Sequence, residues 1–217
     1  MRQLAVAAVL LALLPVAAEA AEEPTRWADP CGDEVRPLAS AQGTPVRVAE
    51  EQRRSPRHDV REASIHAVAG GVDVSVRLCA PLGDEGSDVT THEVNALLPS
   101  GCDITVQLDD DPMWGRSAQW FSYCPPEEGG APVAQQRWYR ELPASSWSVE
   151  GDTVTWRLRT DELPGLESTP LTPGARWTAL RAFAGWPLSL SANHGTTTAG
   201  PVTPADAART DATFLVD

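Results

Sequence analysis

Carboxylates are the most abundant groups in this sequence that could do chemistry. The chain carries 30 Asp and Glu residues against 17 basic residues, all of them Arg, and its net charge is −13. Calcium prefers about 6–8 oxygen ligands, and a divalent cation would relieve the repulsion between loop carboxylates brought together from distant chain positions. The expected calcium ligands lie where predicted loops meet strands and in the terminal segment, at Asp29, Asp33, Asp59, Asp206 and Asp211.

Other acidic residues support weaker interpretations. Asp109, Asp110 and Asp111 fall at a predicted hairpin tip, where we expect a solvated loop that resists aggregation. Glycoside hydrolysis needs two carboxyl groups at a defined separation, and no spacing selects one pair from the 30 acids. The sequence therefore leaves a hydrolase open as an alternative without naming its residues.

Tryptophan provides eight of the 13 aromatic residues. Three of them, Trp120, Trp147 and Trp156, occupy predicted inward positions and are expected in the core. Three others lie in or beside predicted loops, where the ring could stack on a sugar or cover apolar surface. These candidate ligand-binding residues are Trp27, Trp114 and Trp138.

Signatures of catalysis are missing from the sequence. The four histidines are scattered at His58, His66, His92 and His194, without H-x-x-x-H spacing, and no G-x-S-x-G elbow is present. Most of them fall in predicted loops or on a predicted wet face. We therefore expect no catalytic centre, and the favoured function is a non-catalytic binding or structural module. The alternative is an exported hydrolase acting on an extracellular or cell-wall polymer.

The N-terminus predicts export. A short basic start, an apolar run over Leu4–Ala18 and an A-x-A site at Ala18–Ala20 are typical of a signal peptide over residues 1–20. The expected mature protein is a single secreted domain over residues 21–217, with no membrane insertion. Its negative charge argues against nucleic acid and anionic membranes as partners, because both would repel it, and a glycan or a cell-envelope component is the expected partner.

Alternating apolar and polar residues predict three hairpins. The first covers Arg61–Cys79, with a turn at Gly70-Gly71 that would pair Ala63 with Leu78. The second joins Cys102–Leu108 to Ala118–Cys124, and Gly115 could supply a positive φ in its turn. The third joins Ser145–Val149 to Val154–Leu158 through Gly151-Asp152, placing Trp147 opposite Trp156.

Further strands and the turn-rich composition set the fold class. Additional strands are expected at Thr91–Leu98, Gln135–Arg140, Arg176–Trp186 and Thr213–Val216. Segments rich in Pro, Gly and polar residues predict loops, at Ala41–Arg57, Pro125–Ala134, Leu166–Gly174 and Gly195–Ala205. Many short strands with frequent turns indicate an all-β, antiparallel β-sandwich of jelly-roll or immunoglobulin-like type.

Four cysteines in an exported chain predict two disulfides, and three connectivities are open by count alone. In the second hairpin, a register in which paired numbers sum to 226 places Cys102 opposite Cys124 and Val106 opposite Trp120. Cys31 is then left to join Cys79. The wide spacing of the four cysteines disfavours zinc.

Several short motifs lie at the start and end of the predicted domain. The chain opens with Asp29-Pro30-Cys31-Gly32-Asp33, and Asp59-Val60 begins the next predicted strand. Val154–Leu158, Leu163 and Gly174–Trp177 follow later, and the ending is Asp206–Asp211 followed by Phe214–Val216. These segments resemble the D-P-x-G-D start, the next strand and the closing strands of secreted bacterial β-sandwich domains of the DOMON/carbohydrate-binding-module-9-like kind. The resemblance implies a sandwich, often with structural calcium, in proteins that bind rather than catalyse.

Overall fold

The computed structural model describes residues 23–32, 56–83, 90–125, 135–187 and 202–216. The strands within these ranges are β1 (Thr25–Ala28), β2 (Val60–Val68), β3 (Gly71–Leu78), β4 (Thr90–Leu97), β5 (Asp103–Asp111), β6 (Gly115–Cys124), β7 (Gln135–Leu142), β8 (Trp147–Glu150), β9 (Thr153–Arg159), β10 (Arg176–Pro187), β11 (Val202–Thr210) and β12 (Phe214–Leu215). Short 3-10 helices cover 56–58, 144–146, 165–167 and 169–171. The predicted signal peptide lies outside the described residues.

Two antiparallel sheets form a β-sandwich, as predicted. The smaller sheet has the order β1-β2-β3-β9-β8, and the larger has the order β11-β10-β4-β5-β6-β7, with β12 paired to β10. One hydrophobic core joins inward residues of both sheets, among them Val74 and Trp156 of the smaller and Val106, Trp120 and Leu180 of the larger. Successive side chains of a strand point to opposite faces, so the polar residues between these positions lie on the outer faces.

The second and third hairpins have the predicted registers. Val106 pairs with Trp120, and Asp103 pairs with Tyr123 beside the Cys102–Cys124 disulfide. The other disulfide joins Cys31 to Cys79, so both predicted pairings are confirmed. In the third hairpin Trp147 pairs with Trp156. Two disulfides suggest an oxidising, extracellular environment.

The first hairpin has the predicted strands but a different register. Ala63 pairs with Val76 rather than with Leu78, because the turn residues are Ala69 and Gly70 and Gly71 belongs to β3. The shift moves the partner by two residues, so the same side chains stay inward and the predicted buried face is retained. A bulge between Val60 and Glu62 offsets the end of the hairpin again.

Close contact between strands explains why Gly71 lies within the sheet. A Cβ at this position would overlap the backbone carbonyl of Leu158 in β9. We expect Gly71→Ala to lower the free energy of unfolding by about 1–3 kcal/mol, since the overlap must be relieved by moving backbone. Urea denaturation measures the change. Gly151→Ala is the control, because Gly151 has a positive φ but no atom within 4 Å of an added Cβ. A smaller loss at Gly71 than at Gly151 would contradict the explanation.

Two strands escaped prediction from the sequence. The expected Gly195–Ala205 loop overlaps β11, which begins at Val202 and contains Pro204. Proline is tolerated there because β11 is the edge strand of the larger sheet and Pro204 pairs beside a bulge in β10. The other missed strand, β1, is a four-residue edge strand of the smaller sheet.

Candidate functional site

The outer face of the larger sheet carries mostly polar side chains on β4, β5 and β6, with Tyr139 beside them on the edge strand β7. We call it the outer polar face and define it by Thr91, Glu93, Asn95, Thr105, Gln107, Asp109, Ser117, Gln119, Phe121 and Tyr139. The strand register places them in transverse rows. Thr91, Asp109 and Ser117 form one row; Glu93, Gln107 and Gln119 the next; and Asn95, Thr105, Phe121 and Tyr139 the third.

Burial distinguishes this face from the outer face of the smaller sheet. Thr91 is fully buried, Glu93 is 9% exposed and Gln107 and Gln119 are each 5% exposed. At outward positions of the smaller sheet, by contrast, polar residues such as Ser75 and Thr155 are only half-buried. Buried polar groups are stable only when hydrogen-bonded, so the outer polar face must satisfy its own groups.

Asp109 is the centre of a hydrogen-bond network on this face. Thr91 Oγ1 and Gln107 Nε2 each donate to Asp109 Oδ1 at 2.8 Å, and Gln119 Nε2 donates to Oδ2 at 3.0 Å. The expectation of a solvated loop at Asp109–Asp111 is wrong, because β5 continues through Asp111. Asp110 instead pairs with Arg116 at 3.2 Å, and Asp111 accepts the backbone N–H groups of the turn.

Glu93 lies diagonally across from Asp109 on the neighbouring strand. The pKa of Glu93 is raised to about 7, mainly by burial; the hydrogen bond from Asn95 opposes the rise, and the nearby Asp109 adds to it. Asn95 Nδ2 donates to Glu93 Oε1 at 3.4 Å. Asn95 Oδ1 is buried and has no hydrogen-bond partner within the described parts of the chain.

Aromatic rings flank the polar rows toward β6 and β7. Phe121 stacks on Tyr139 with ring centroids 6.4 Å apart, and Tyr123 meets Phe121 edge-on at 5.7 Å. Phe121 is buried, whereas Tyr139 and Tyr123 are half-buried. Polar groups fixed in place beside partly accessible rings are the combination that a sugar-binding surface uses.

The three tryptophans named as candidate ligand-binding residues lie in different surroundings. Trp114 is 79% exposed in the turn between β5 and β6, next to the equally exposed Met113. Trp138 is half-buried and packs on Trp120 with ring centroids 5.1 Å apart. The expectation that Trp27 lies in or beside a loop and offers its ring to a ligand is wrong. Trp27 lies in β1, is 6% exposed and donates from Nε1 to the carbonyl of Ala208. Its ring belongs to the core.

The expected calcium ligands are not shown to converge. Asp59 is 2% exposed and accepts the Gly32 N–H through Oδ2 at 2.6 Å, and Asp211 is exposed. Asp29 donates its backbone N–H to the carbonyl of Arg61. Asp33 and the side chain of Asp206 lie outside the described residues. Structural calcium at these residues stays a prediction.

In the described residues, one group of three side chains lies as close together as the ligands of a metal ion, but its sulfur atoms cannot bind one. A carboxylate oxygen of Asp59 and the sulfurs of Cys31 and Cys79 lie within 4.8 Å of one another. Metal binding to cysteine requires the thiolate, and both sulfurs are joined in a disulfide. The group is therefore a carboxylate packed against a disulfide.

Two histidines are buried, which the sequence interpretation missed. His92 is fully buried at an inward position of β4, and His58 is 2% exposed. Burial, together with smaller effects of the nearby His58 and Arg116, lowers the pKa of His92 to about 3. The sequence contained one signal of this burial: His92 lies two positions before the apolar Val94, so in a strand both side chains point to the same face. His66 lies half-buried on the outer face of the smaller sheet, and His194 lies outside the described residues.

The residues of the outer polar face also escaped prediction. Alternation placed Thr105 and Gln107 opposite the inward apolar residues of β5, but a polar residue on an outer face is ordinarily solvated. No local pattern in the sequence separates these buried positions from solvated ones.

Comparisons with known proteins do not assign a family. No family model, curated protein or solved structure matches the chain. The resemblance to DOMON/carbohydrate-binding-module-9-like domains thus stays a prediction. Among the described residues, no helix is long and apolar enough to cross a membrane.

Proposed function

We propose that this is an exported binding module that takes a glycan on the outer polar face. The observation that carries the proposal is the burial of Glu93, Gln107 and Gln119 on an outward sheet face, where their hydrogen bonds hold them in fixed positions. A surface fixed before binding loses little side-chain entropy when a ligand arrives.

The direction of the hydrogen bonds supports a ligand that donates hydrogen bonds. The amide groups of Asn95, Gln107 and Gln119 each donate to a carboxylate, which directs their nitrogen ends into the protein network. Asn95 Oδ1 remains as an acceptor, because it is buried with no partner in the described residues. A sugar hydroxyl group could donate to this oxygen, and Tyr139 provides a ring against which a sugar can pack.

Glycan binding by matched variants tests the proposal. Array screening of the mature protein selects a glycan, and calorimetric titration then compares variants. We expect Tyr139→Ala to weaken binding at least about fivefold, since an aromatic contact in a binding site is worth on the order of 1 kcal/mol or more. Thr155→Ala, on the outer face of the smaller sheet, is expected to bind like the wild type. Equal affinities for all three proteins, or no bound glycan, would contradict the proposal.

A second candidate, an exported hydrolase, is favoured by one observation. A general acid must hold its proton at working pH, and burial raises the pKa of Glu93 to about 7 beside a second carboxyl group, Asp109. The bound glycan is therefore also assayed for new reducing ends. Turnover that Glu93→Gln removes while binding persists would establish the hydrolase, and no turnover in the wild type would exclude it for that glycan.

A further inference from the structure

The Cys31–Cys79 disulfide has a buried carboxylate directly beside it. One oxygen of Asp59 lies within 4.8 Å of both sulfurs, and Asp59 is only 2% exposed. Two backbone hydrogen bonds hold this arrangement: Gly32 N–H donates to Asp59 Oδ2 at 2.6 Å, and Cys79 N–H donates to the Asp59 carbonyl at 2.9 Å. The carboxylate is thus anchored to the residue after Cys31, and the backbone of Asp59 is anchored to Cys79.

The two sulfur-bearing residues differ in access. Cys31 is exposed, whereas Cys79 is half-buried at the end of β3. In thiol–disulfide exchange the thiolate attacks the accessible sulfur, and the other sulfur leaves with the electron pair. The geometry therefore directs attack to Cys31 and makes Cys79 the leaving group.

The negative charge of an ionised Asp59 would change the rate of the exchange at this distance. Negative charge develops on the Cys79 sulfur as it leaves, and the carboxylate of Asp59 opposes it. The same carboxylate repels an incoming thiol that carries a negative group and attracts one that carries a positive group. Its burial limits the screening that salt provides.

We propose that the Cys31–Cys79 disulfide is a thiol-exchange site at which Asp59 slows reduction and selects cationic over anionic thiols. A thiolate forms a bond to Cys31 Sγ, the bond between the two protein sulfurs breaks, and the electron pair moves to Cys79 Sγ, which then takes a proton from water. A second thiolate attacks the mixed disulfide and releases Cys31. The two external thiols are oxidised to their disulfide, and the protein disulfide is reduced by two electrons.

Exchange rates of the two disulfides in the native protein test the proposal. Protein is treated with cysteamine or with thioglycolate in the presence of chelator, quenched by alkylation and analysed by peptide mass spectrometry. The Cys102–Cys124 disulfide serves as the internal reference, because the net negative charge of the protein acts on thiols that approach either disulfide. We expect the ratio of cysteamine rate to thioglycolate rate to be at least about threefold larger at Cys31–Cys79 than at Cys102–Cys124. Equal ratios at the two disulfides would overturn the proposal without any variant.

Asp59→Asn gives the second measurement. Asn keeps an oxygen to accept the Gly32 N–H but removes the charge, so exchange at Cys31–Cys79 should accelerate about tenfold and lose its preference for cysteamine. Asp161→Asn, at an exposed carboxylate, makes the same change in net charge and should leave both rates unaltered. A faster exchange that keeps the wild-type selectivity would show loosened structure rather than removed charge, and would overturn the proposal.

Discussion

Trp120→Ala is expected to lower the free energy of unfolding by about 3–5 kcal/mol, the range for truncating a large aromatic side chain in a core. Trp120 is 1% exposed on β6 of the larger sheet, between Val106 of β5 and Arg140 of the edge strand β7. Its ring stacks on Trp177 with centroids 6.0 Å apart, and Trp138 lies 5.1 Å away. Truncation would leave a cavity bordered by two other tryptophans.

The indole of Trp120 also donates a hydrogen bond to a backbone carbonyl in a loop. Its Nε1 donates to the carbonyl of Glu167 at 2.9 Å, and Arg140 pairs with the Glu167 carboxylate at 2.9 Å. Removing the indole therefore leaves a carbonyl without this donor as well as a cavity.

Urea denaturation followed by fluorescence or circular dichroism measures the effect, with Trp114→Ala as the matched control. Trp114 is 79% exposed, so its removal should change the free energy of unfolding by no more than about 0.5 kcal/mol. If both variants lowered the free energy of unfolding by a similar amount, the packing of Trp120 in the core would not explain its contribution to stability.

The second large effect is a pair of opposed pH dependences. The pKa of His92 is about 3 in the folded protein, against an ordinary value of 6.5, because burial disfavours the charged imidazole. The unfolded chain therefore binds more protons than the folded protein between pH 6.5 and 3. By linkage, His92 lowers the free energy of unfolding by about 3 kcal/mol as the pH falls from 7.5 to 4.

Glu93 acts in the opposite direction. Burial raises its pKa to about 7 from an ordinary value of 4.5, so the folded protein binds more protons than the unfolded chain between pH 4.5 and 7. This group lowers the free energy of unfolding by about 3 kcal/mol as the pH rises from 4 to 7.5. The two contributions oppose each other in the wild-type protein.

Single variants separate the two groups. Urea denaturation between pH 4 and pH 8 should show that Glu93→Gln is stabilised relative to the wild type at pH 7.5 but not at pH 4. The free energy of unfolding of His92→Gln, relative to the wild type, should rise by about 3 kcal/mol as the pH falls from 7.5 to 4, because the variant lacks the group that destabilises the wild type at low pH. Each variant controls for the other, and difference curves that are flat with pH for both would contradict the assigned burial effects.

Alternation along the chain determined much of the fold. The pattern in Cys102–Leu108 and Ala118–Cys124 indicated the strands, their inward faces and a register that placed the two cysteines together, all of which the structure contains. The Trp147–Trp156 pair followed in the same way from its short turn. These features are local, because strand period and turn length act over a few residues.

Other features depended on residues far apart in the sequence. The register of the first hairpin is decided by Gly71, which must admit the carbonyl of Leu158 from a strand more than 80 positions later. Likewise Asp59 meets the Cys31–Cys79 disulfide only because β1 and β3 both pair with β2 and so bring the three residues to one place.

The candidate binding site shows the same division. The sequence by itself determined that Glu93, Gln107 and Gln119 lie on three predicted strands. Only the tertiary structure decided that these three side chains form one buried row with a network around Asp109. The physical reason is that alternation specifies the face toward which a side chain points, whereas burial depends on what neighbouring strands place beside it.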